Sequence, residues 1–339
     1  MKITLKTIAD EAGLSVTTVS RALAGYDDVN EATRQRVMEI AERLGYQPNL
    51  TARHLRSKQT STIGMVIPRT AYFADSFFME LLAGVGRQAS AHGYDLLLSV
   101  QPPGDEELAA YRRMVAGSRV DGIVLARVLR HDPRIAYLQQ ANHPFVSFGR
   151  SETSDYPYID VDGARGMRRL VQHLAENGHR RIAIILSPWE LAFTTTRYEG
   201  YLEGLDAIGV QPDEAYVAEG DLTQQGGRDA AARMLALPEP PTAIIACNDL
   251  MAFGVMEAVE QRGLRVGHAV AVAGFDDVPA AAHAIPPLTT LRQPIYAIGC
   301  QMVDMLVRLL RGETLEHAHV LIEPELMVRA SSGPQPAQA

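Results

Sequence analysis

Apolar residues at the start of the chain recur at the spacing of two short amphipathic helices. The recurring positions are Ile8, Ala9 and Ala12 in the first segment and Val16, Val19 and Leu23 in the second. Thr4 and Ser15 can cap the two helices, and Gly13 can leave the first one through a left-handed backbone at little cost. Two helices joined by so short a turn must cross steeply, so the pattern predicts a helix-turn-helix.

A third amphipathic segment runs from about Glu31 to Leu44. Asn30 precedes it as an N-cap, and Gly45 ends it. Its inward stripe has helical spacing and consists of Val37, Ile40, Ala41 and Leu44. Residues 1–48 are therefore predicted to form a small three-helix unit with its own core.

The second helix has an outward face that suits contact with DNA. The positions off its core face are Val16, Thr17, Ser20 and Arg21. The N-terminal residues of the second helix in a helix-turn-helix meet base edges in the major groove. Arg21 is then the candidate for a bidentate contact with guanine. The alternative interpretation is three small amphipathic helices with a solvated arginine.

Residues 49–60 read as a basic segment with an unusual apolar face. Asn49 can cap a helix of about two turns, in which Ala52 and Leu55 lie three residues apart. So short a helix is unstable in isolation. One interpretation is a wedge that folds only when pressed into a minor groove. The other is a flexible linker whose leucine docks on the body of the protein.

After Thr60, apolar runs alternate with amphipathic helices. The runs are "TIGMVI", "DLLLSV", "GIVLA", "FVSF", "YIDV", "RIAIIL", "TAIIAC" and "AVAVAGF". The predicted helices cover about 76–92, 105–118, 133–141, 163–178, 194–209, 223–236, 249–262 and 294–311. Continuous apolar runs are typical of buried parallel strands, and this alternation predicts α/β architecture with two doubly wound sheets. The default ligand site is a cleft beyond the carboxyl ends of the strands.

The composition of the chain indicates the cellular compartment of the protein and one class of partner. Of the 339 residues, 47% are apolar, which is enough for substantial cores, and the formal net charge is −8. The segment up to Gln59 has 9 Lys and Arg against 7 Asp and Glu, so it is mildly basic on an acidic body. This balance favours nucleic-acid contact confined to the first segment. The sequence has two cysteines, no apolar signal segment and no long apolar stretch. These features predict a soluble cytoplasmic protein.

Polar residues that follow the predicted strands are the candidates for ligand contact. They are Arg127, Arg150, Asp160, Asp162, Asn248, Asp249, Asp276 and Asp277, with Arg197 near the start of a helix. Such a set can replace the water around a neutral polyhydroxyl ligand. Taken singly, each has a plainer explanation: Asp249 can be a helix cap, and Asp277 can brace a turn.

The quoted motifs resemble those of a known family. "TIADEAGLSVTTVSRAL", "VNEATRQRVMEIAERLGYQPN" and "ARHLRSKQTSTIGMVIP" resemble the amino-terminal signature of the lactose-repressor (LacI/GalR) family of bacterial transcription regulators, almost continuously over 68 residues. The resemblance implies a DNA-reading headpiece, a hinge helix and an effector-binding core. By position, Val16, Thr17 and Arg21 match base-reading residues, and Leu55 matches a leucine that opens a central base step. The predicted DNA contacts are Thr4, Ser15, Val16, Thr17, Ser20, Arg21, Asn49, Ala52 and Leu55.

The chain to about Arg329 resembles the family's core, which is similar to periplasmic sugar-binding proteins. The motifs are "VSFGR", "RRIAIIL", "TTRYEGYLEGL", "ACNDLMAFGVMEAV", "AGFDDVP" and "IPPLTTLRQP". The resemblance implies principal effector contacts at Arg197, Asn248 and Asp276, and lesser ones at Asp162 and Ile295. Leu222 takes a position that often holds an aromatic residue. Two further candidates come from the sequence alone: Arg127 for a hydroxyl contact, and Trp189 for stacking, although core packing explains Trp189 equally well.

The predicted organisation has four parts. These are a headpiece at 1–48, a hinge helix and linker at 49–60, a two-lobed core at 61–329 and a disordered tail at 330–339. As in the family, the chain is expected to cross between lobes near 160–162, 291–293 and 323. The tail has no leucine heptads, so a homodimer is expected rather than a tetramer.

The predicted function is that of a repressor that binds a pseudo-palindromic operator as a dimer and responds to a small carbohydrate. No cofactor and no metal are expected. A purine or other co-repressor is the alternative within the family. An enzyme is disfavoured because no nucleophile-elbow, phosphate-loop or metal-spaced motif occurs in the sequence. A solute-binding protein fits the body but not the predicted headpiece.

Overall fold

The computed structural model describes residues 3–23, 26–46, 59–69 and 76–333. The chain divides into two compact units, Met1–Gln59 and Thr60–Ala339. The predicted hinge residues Asn49, Ala52 and Leu55 lie outside the described residues. No helix in the described ranges is long and apolar enough to cross a membrane.

The first unit contains the predicted helix-turn-helix. Its helices are α1 (Leu5–Ala12), α2 (Val16–Leu23) and α3 (Glu31–Arg43). Thr4 caps α1 in a reciprocal pair with Thr7, and Gly13 follows with φ 66°. Ser15 Oγ accepts from the Thr18 N–H at 3.0 Å, and Asn30 caps α3. The three helices close over one small core that is centred on the fully buried Ile8, Val19 and Val37.

The second unit has two sheets, each of six described strands. The strands of the first lobe are β1 (Thr62–Pro68), β2 (Asp95–Gln101), β3 (Gly122–Leu125), β4 (Phe145–Phe148), β5 (Tyr158–Val161) and β11 (His319–Ile322), in the order β11-β5-β4-β3-β1-β2. All pairings in this sheet are parallel. The central strands β3, β4 and β5 are buried along their whole length, which is why they read as mostly apolar runs.

The second lobe repeats this plan with one antiparallel edge. Its strands are β6 (Ile182–Leu186), β7 (Val217–Glu219), β8 (Ala243–Ala246), β9 (Ala271–Asp276), β10 (Thr289–Arg292) and β12 (Glu325–Met327), in the order β12-β10-β9-β8-β6-β7. Only the pairing of β12 with β10 is antiparallel among the described strands of this sheet. The predicted α/β class with two doubly wound sheets is confirmed.

The helices of this unit lie close to their predicted positions. They are α4 (Ser76–Ala91), α5 (Asp105–Ala116), α6 (Pro133–Gln140), α7 (Gly163–Glu176), α8 (Ala192–Ala207), α9 (Gln224–Met234), α10 (Asp249–Gln261) and α11 (Ile295–Leu310). Glycine allows two of them to pack closely, because a Cβ on Gly84 of α4 would meet the Tyr296 carbonyl oxygen of α11. This contact places α11 with the first lobe.

The chain crosses between the lobes where the sequence predicts. It leaves β5 of the first lobe at Val161 and returns through α11, which follows β10 of the second lobe. It passes back between β11 and β12, on either side of Glu323. The strands β7, β10, β11 and β12 were not predicted. Three of them are only partly buried, and β10 has the polar sequence "TTLR", so none of the four is apolar along its whole length.

The disordered tail was predicted to begin at residue 330, and this boundary is too early in the chain. Ala330–Ser332 form a 3-10 turn, and Ser331 and Ser332 are buried. Ser331 Oγ accepts from the Thr289 N–H and donates to the Val272 carbonyl, both at 2.7 Å. His179 Nε2 lies 3.0 Å from the Gly333 carbonyl oxygen. These bonds to the second lobe hold 330–333 in place, a tie that composition alone cannot reveal.

Candidate functional site

A cavity lies between the two lobes, beyond the carboxyl ends of their strands. It encloses about 910 Å³ of empty space, including the part open to solvent. The described lining residues lie at the ends of strands or in the segments after them, following β1, β3, β4 and β5 in one lobe and β6, β7, β8, β9 and β10 in the other. This is where doubly wound sheets bind ligands.

Much of the cavity wall is aromatic. The phenylalanines in the lining are Phe77, Phe78, Phe148 and Phe193. Phe77 and Phe148 are stacked, with ring centroids 5.9 Å apart and an angle of 17° between the planes. Leu222 lies in the same wall, at the position for which the family resemblance predicts an aromatic residue. The cavity therefore offers flat apolar faces to a ligand without a contribution from that position.

Arg197 is a buried cation with unused hydrogen-bonding capacity. It is 6% exposed, and Nη1 donates to the Cys247 carbonyl oxygen. Its guanidinium carbon lies 3.6 Å from the ring centroid of Phe275 and 4.4 Å from that of Phe193. Its buried Nε has no hydrogen-bond partner among the described residues. Burial lowers the pKa of Arg197 and nearby Asp276 compensates only in part, so an acceptor on a ligand would relieve a real deficit.

Asn248 is positioned by the helix that it caps. Its Oδ1 accepts from the Met251 N–H at 3.0 Å, and its Nδ2 donates to the Leu222 carbonyl at 3.1 Å. Asp249, which the sequence suggested as the cap, instead accepts from the Thr290 hydroxyl and the Val278 N–H. Burial raises the pKa of Asp249 to about 7. Asn248 therefore presents its amide at the cavity wall, while Asp249 ties neighbouring segments of the second lobe together.

Two carboxylates line the cavity, each beside a donor. Asp276 Oδ1 accepts from Gln293 Nε2 at 2.6 Å. Asp160 Oδ2 lies 3.2 Å from Nε of Arg150. Burial raises the pKa of Asp160 to about 6, although Arg150 opposes the shift. Both carboxylates can accept further hydrogen bonds from hydroxyl groups.

Three non-glycine residues of the lining have left-handed backbone angles. The φ values are 57° at Arg127, 67° at Leu222 and 131° at Asp276. Each costs on the order of 1–3 kcal/mol, and such residues cluster where side chains must be aimed at a ligand. The strain supports the cavity as the functional centre of this unit.

The structure brings together four of the seven predicted effector contacts. Arg127, Arg197, Asn248 and Asp276 line the cavity. The described lining does not include the other three, Asp162, Trp189 and Ile295. Asp162 caps α7 by accepting from the Arg165 N–H at 2.9 Å, and Ile295 is buried in the core. Trp189 is 37% exposed and meets the edge of Tyr198. A role in effector contact stays a prediction for all seven.

Gln293 and the phenylalanines were missed as candidates. Arg150 and Asp160 were singled out as polar residues after strands but were not retained among the predicted contacts. Gln293 directly follows β10, so recognition of that strand would have exposed the same signal.

The outward face of α2 matches the predicted DNA-reading surface. Val16 is 45% exposed, and Thr17 and Arg21 are exposed. Arg21 forms an ion pair with Asp28, and its guanidinium carbon lies 5.0 Å from the Tyr26 ring centroid. Thr4 and Ser15 serve as helix caps here, and contact with DNA stays a prediction for each of these residues.

Within the described ranges, no group of three or more His, Cys, Asp or Glu side chains is placed to hold a metal ion.

Both units of the chain are similar to known protein families. Residues 4–49 match the model of the lacI family of bacterial regulatory proteins, and 171–332 match a periplasmic binding protein-like domain. The HTH-type transcriptional regulator AglR of Rhizobium meliloti (strain 1021) is 36% identical over 99% of this chain and 96% of its own length.

Two solved structures are similar along almost the whole chain. A complex of the transcriptional regulator CelR with cellobiose is 35% identical, with a TM-score of 0.76 over 97% of this chain and 99% of that one. The lac repressor dimer bound to operator and the anti-inducer ONPF is 29% identical, with a TM-score of 0.87 over 98% and 100% of the two chains.

Proposed function

This chain belongs to the lacI family of bacterial regulatory proteins, and we propose that it is a cytoplasmic repressor whose operator affinity changes when a small carbohydrate binds between its lobes. Its family is one of transcriptional regulators rather than enzymes. The four proposed parts are the headpiece at 1–48, the hinge at 49–60, the core at 61–329 and a tail at 330–339, of which Ala330–Ser332 form a 3-10 turn.

The cavity carries the carbohydrate proposal. Phenylalanine rings suit the apolar C–H faces of a sugar, and carboxylate, amide and guanidinium groups suit its hydroxyls. The single observation with most weight is the unpartnered Nε of buried Arg197, because this residue lines the cavity and its Nε lacks an acceptor among the described residues. The complex of the similar regulator CelR contains cellobiose, which supports a disaccharide as the first candidate for this chain.

A thermal-shift screen tests the effector class. The panel holds monosaccharides, disaccharides including cellobiose, and purine bases and nucleosides. A ligand at 100 times its dissociation constant adds about 2.7 kcal/mol to the stability of the native state. Stabilisation by a sugar supports the proposal. Stabilisation by a purine alone contradicts it and supports the alternative, in which the effector is a purine co-repressor.

The DNA side of the proposal uses two copies of the chain. The lac repressor of similar structure binds its operator as a dimer. For this chain, two heads on one face of the DNA would reach half-sites about 34 Å apart, with Leu55 of each copy in the central minor groove. In a mobility-shift assay, Leu55→Ala should weaken operator binding much more than binding to random DNA. Equal loss on both DNAs would remove the wedge role.

A further inference from the structure

A backbone contact joins the two lobes beside the cavity. Leu129, in the loop after β3, forms an isolated antiparallel bridge with Leu191, in the loop after β6. The Arg130 N–H donates to the Glu190 carbonyl at 2.9 Å, and the Ala192 N–H donates to the Val128 carbonyl at 3.0 Å. The two hydrogen bonds span separate lobes, so the lobes cannot part without breaking both.

On the first-lobe side of this contact, the buried Arg134 holds the loop backbone in position. Its side chain is 4% exposed, and its guanidinium makes two bonds to Asp132 and one of 2.5 Å to Glu107. Nη2 also donates to the Arg127 carbonyl at 2.7 Å, and Asp132 Oδ2 accepts from the Leu129 N–H at 3.0 Å. One buried ion cluster therefore fixes the backbone on both sides of Val128.

The second-lobe side is fixed independently. The Thr194 hydroxyl donates to the Pro188 carbonyl at 2.9 Å and lies 2.7 Å from the Ser187 hydroxyl. The Trp189 N–H donates to Glu219 at 3.3 Å, and its ring packs edge-on against Tyr198. Each half of the contact is thus rigid within its own lobe, and only the relative position of the lobes decides whether the two halves meet.

The same loops carry cavity residues. Arg127 and Val128 line the cavity from one side, and Ala192 and Phe193 line it from the other. We propose that 128–130 and 190–192 form a latch that holds the cleft closed around the effector, and that Arg134 is the positioning residue that keeps the first-lobe half in register. The inference rests on the proposed function, because it specifies how occupancy of that cavity is converted into lobe closure.

A cross-link tests the latch without any ligand. Leu129 and Leu191 are a non-hydrogen-bonded antiparallel pair, for which Cα atoms lie about 4.5 Å apart, within the range that a disulfide spans. Diamide should oxidise the double variant Leu129→Cys/Leu191→Cys to an intramolecular disulfide that peptide mapping identifies. Leu129→Cys alone controls for reaction with the native Cys247 and Cys300. A folded double variant that forms no such disulfide overturns the latch.

The role of Arg134 is tested in the same background. Arg134→Lys keeps a charge beside Glu107 and Asp132, but three donors cannot replace five in a planar fork. The rate of cross-linking should fall at least fivefold at a temperature where thermal unfolding shows the variant to be folded. A purely structural role would lower the melting temperature and leave this rate unchanged, and that result overturns the assignment of Arg134.

Cellobiose is the ligand probe for coupling to the cavity. Ala192→Pro deletes the latch donor at the first position of α8, where proline is tolerated, and Leu191 before it is already extended. Gln224→Pro is the matched control at the first position of α9. Ala192→Pro should weaken cellobiose binding about tenfold, measured by the fluorescence of Trp189, the single tryptophan. Equal affinity in both variants contradicts the coupling. If the native chain does not bind cellobiose, that sugar fails as effector while the cross-link still decides the latch.

Discussion

Each lobe buries one arginine beside the cleft, and the two are built in opposite ways. Arg134 in the first lobe bonds to two carboxylates and to the backbone of the loop above it. Arg197 in the second lobe bonds to one carbonyl and stacks between two phenyl rings, and its Nε lacks a partner among the described residues. Burial opposes the charge of both, but Asp132 and Glu107 raise the pKa of Arg134, whereas the pKa of Arg197 stays lowered.

The difference indicates which arginine serves the fold and which serves the ligand. A buried ion cluster adds little net stability over an apolar replacement of the whole cluster, yet removal of one member leaves buried charges without a partner. An incompletely bonded buried cation is a standing cost that only an outside acceptor removes. Substitution of Arg134 should therefore act on stability and on the position of the latch, and substitution of Arg197 on direct contact with the ligand.

The largest effect is expected for Arg134→Met. Glu107 and Asp132 would stay buried without their cation, which costs about 3–5 kcal/mol of unfolding free energy. Urea unfolding followed by Trp189 fluorescence measures the loss. Arg308→Met is the control, because Arg308 pairs with Glu313 at the surface and should cost less than about 1 kcal/mol. A similar small loss for both variants would erase the distinction between the two buried arginines.

Arg197→Met should separate binding from stability. Loss of a charged donor to the ligand costs about 1.5–3 kcal/mol, which is roughly a 10- to 150-fold loss of sugar affinity in calorimetric titration. Stability without ligand should stay equal or rise, because a poorly bonded buried charge is replaced by an apolar chain of similar length. Operator affinity without ligand should not change. A variant that unfolds, or that binds the sugar normally, contradicts the assigned role.

Arg21 supplies the exposed counterpart of both buried arginines. It is paired with Asp28 at the surface, so Arg21→Ala should change the unfolding free energy by less than about 1 kcal/mol. On DNA, the same change should cost roughly 1–3 kcal/mol at one base position of each half-site. Binding to a set of single-base operator variants measures this, with Arg36→Ala as the control for loss of a charge elsewhere on the head. A uniform loss on all sequences with a shallower salt dependence would make Arg21 a phosphate contact.

The sequence predicts those parts of the molecule that are encoded locally. The caps Thr4, Ser15 and Asn30 could be read because a cap and its helix are neighbours in the chain. The buried strands could be read because both of their faces are covered. Strand β10 escaped because its threonines, although buried, bond to residues far along the chain, as Thr289 does to Ser331 and Arg329.

The cavity was predicted in part for the same reason. Its polar residues follow predicted strands, but the aim of each side chain depends on tertiary bonds. The roles of Asn248 and Asp249 illustrate the limit, since only the packed structure shows which of the two adjacent residues caps α10 and which binds Thr290. The ion cluster of Arg134 joins residues 27 positions apart and has no local signature.

The smallest effect is expected for substitution of Asp160. Its single ion pair with Arg150 is less complete than the ion cluster of Arg134, but more complete than the bonding of Arg197. Burial raises the pKa of Asp160 from 3.8 to about 6. A raised carboxyl pKa means that the folded state binds the proton more tightly than the unfolded state, so ionisation of Asp160 destabilises the protein above pH 6. That penalty is relieved as the pH falls from 6 towards 4. Asp160→Asn should therefore be at least as stable as the native chain at pH 7, with a difference that vanishes near pH 4.

The sugar affinity of the native chain should instead fall as the pH falls, because protonation of Asp160 removes an acceptor and the partner of Arg150. Since Arg150 is partly exposed, we expect no more than about a fivefold loss of affinity between pH 7 and pH 5, and a flat profile in Asp160→Asn. Paired titrations of both proteins across this range measure it, and an equally sloped profile in the variant would assign the pH dependence to another group.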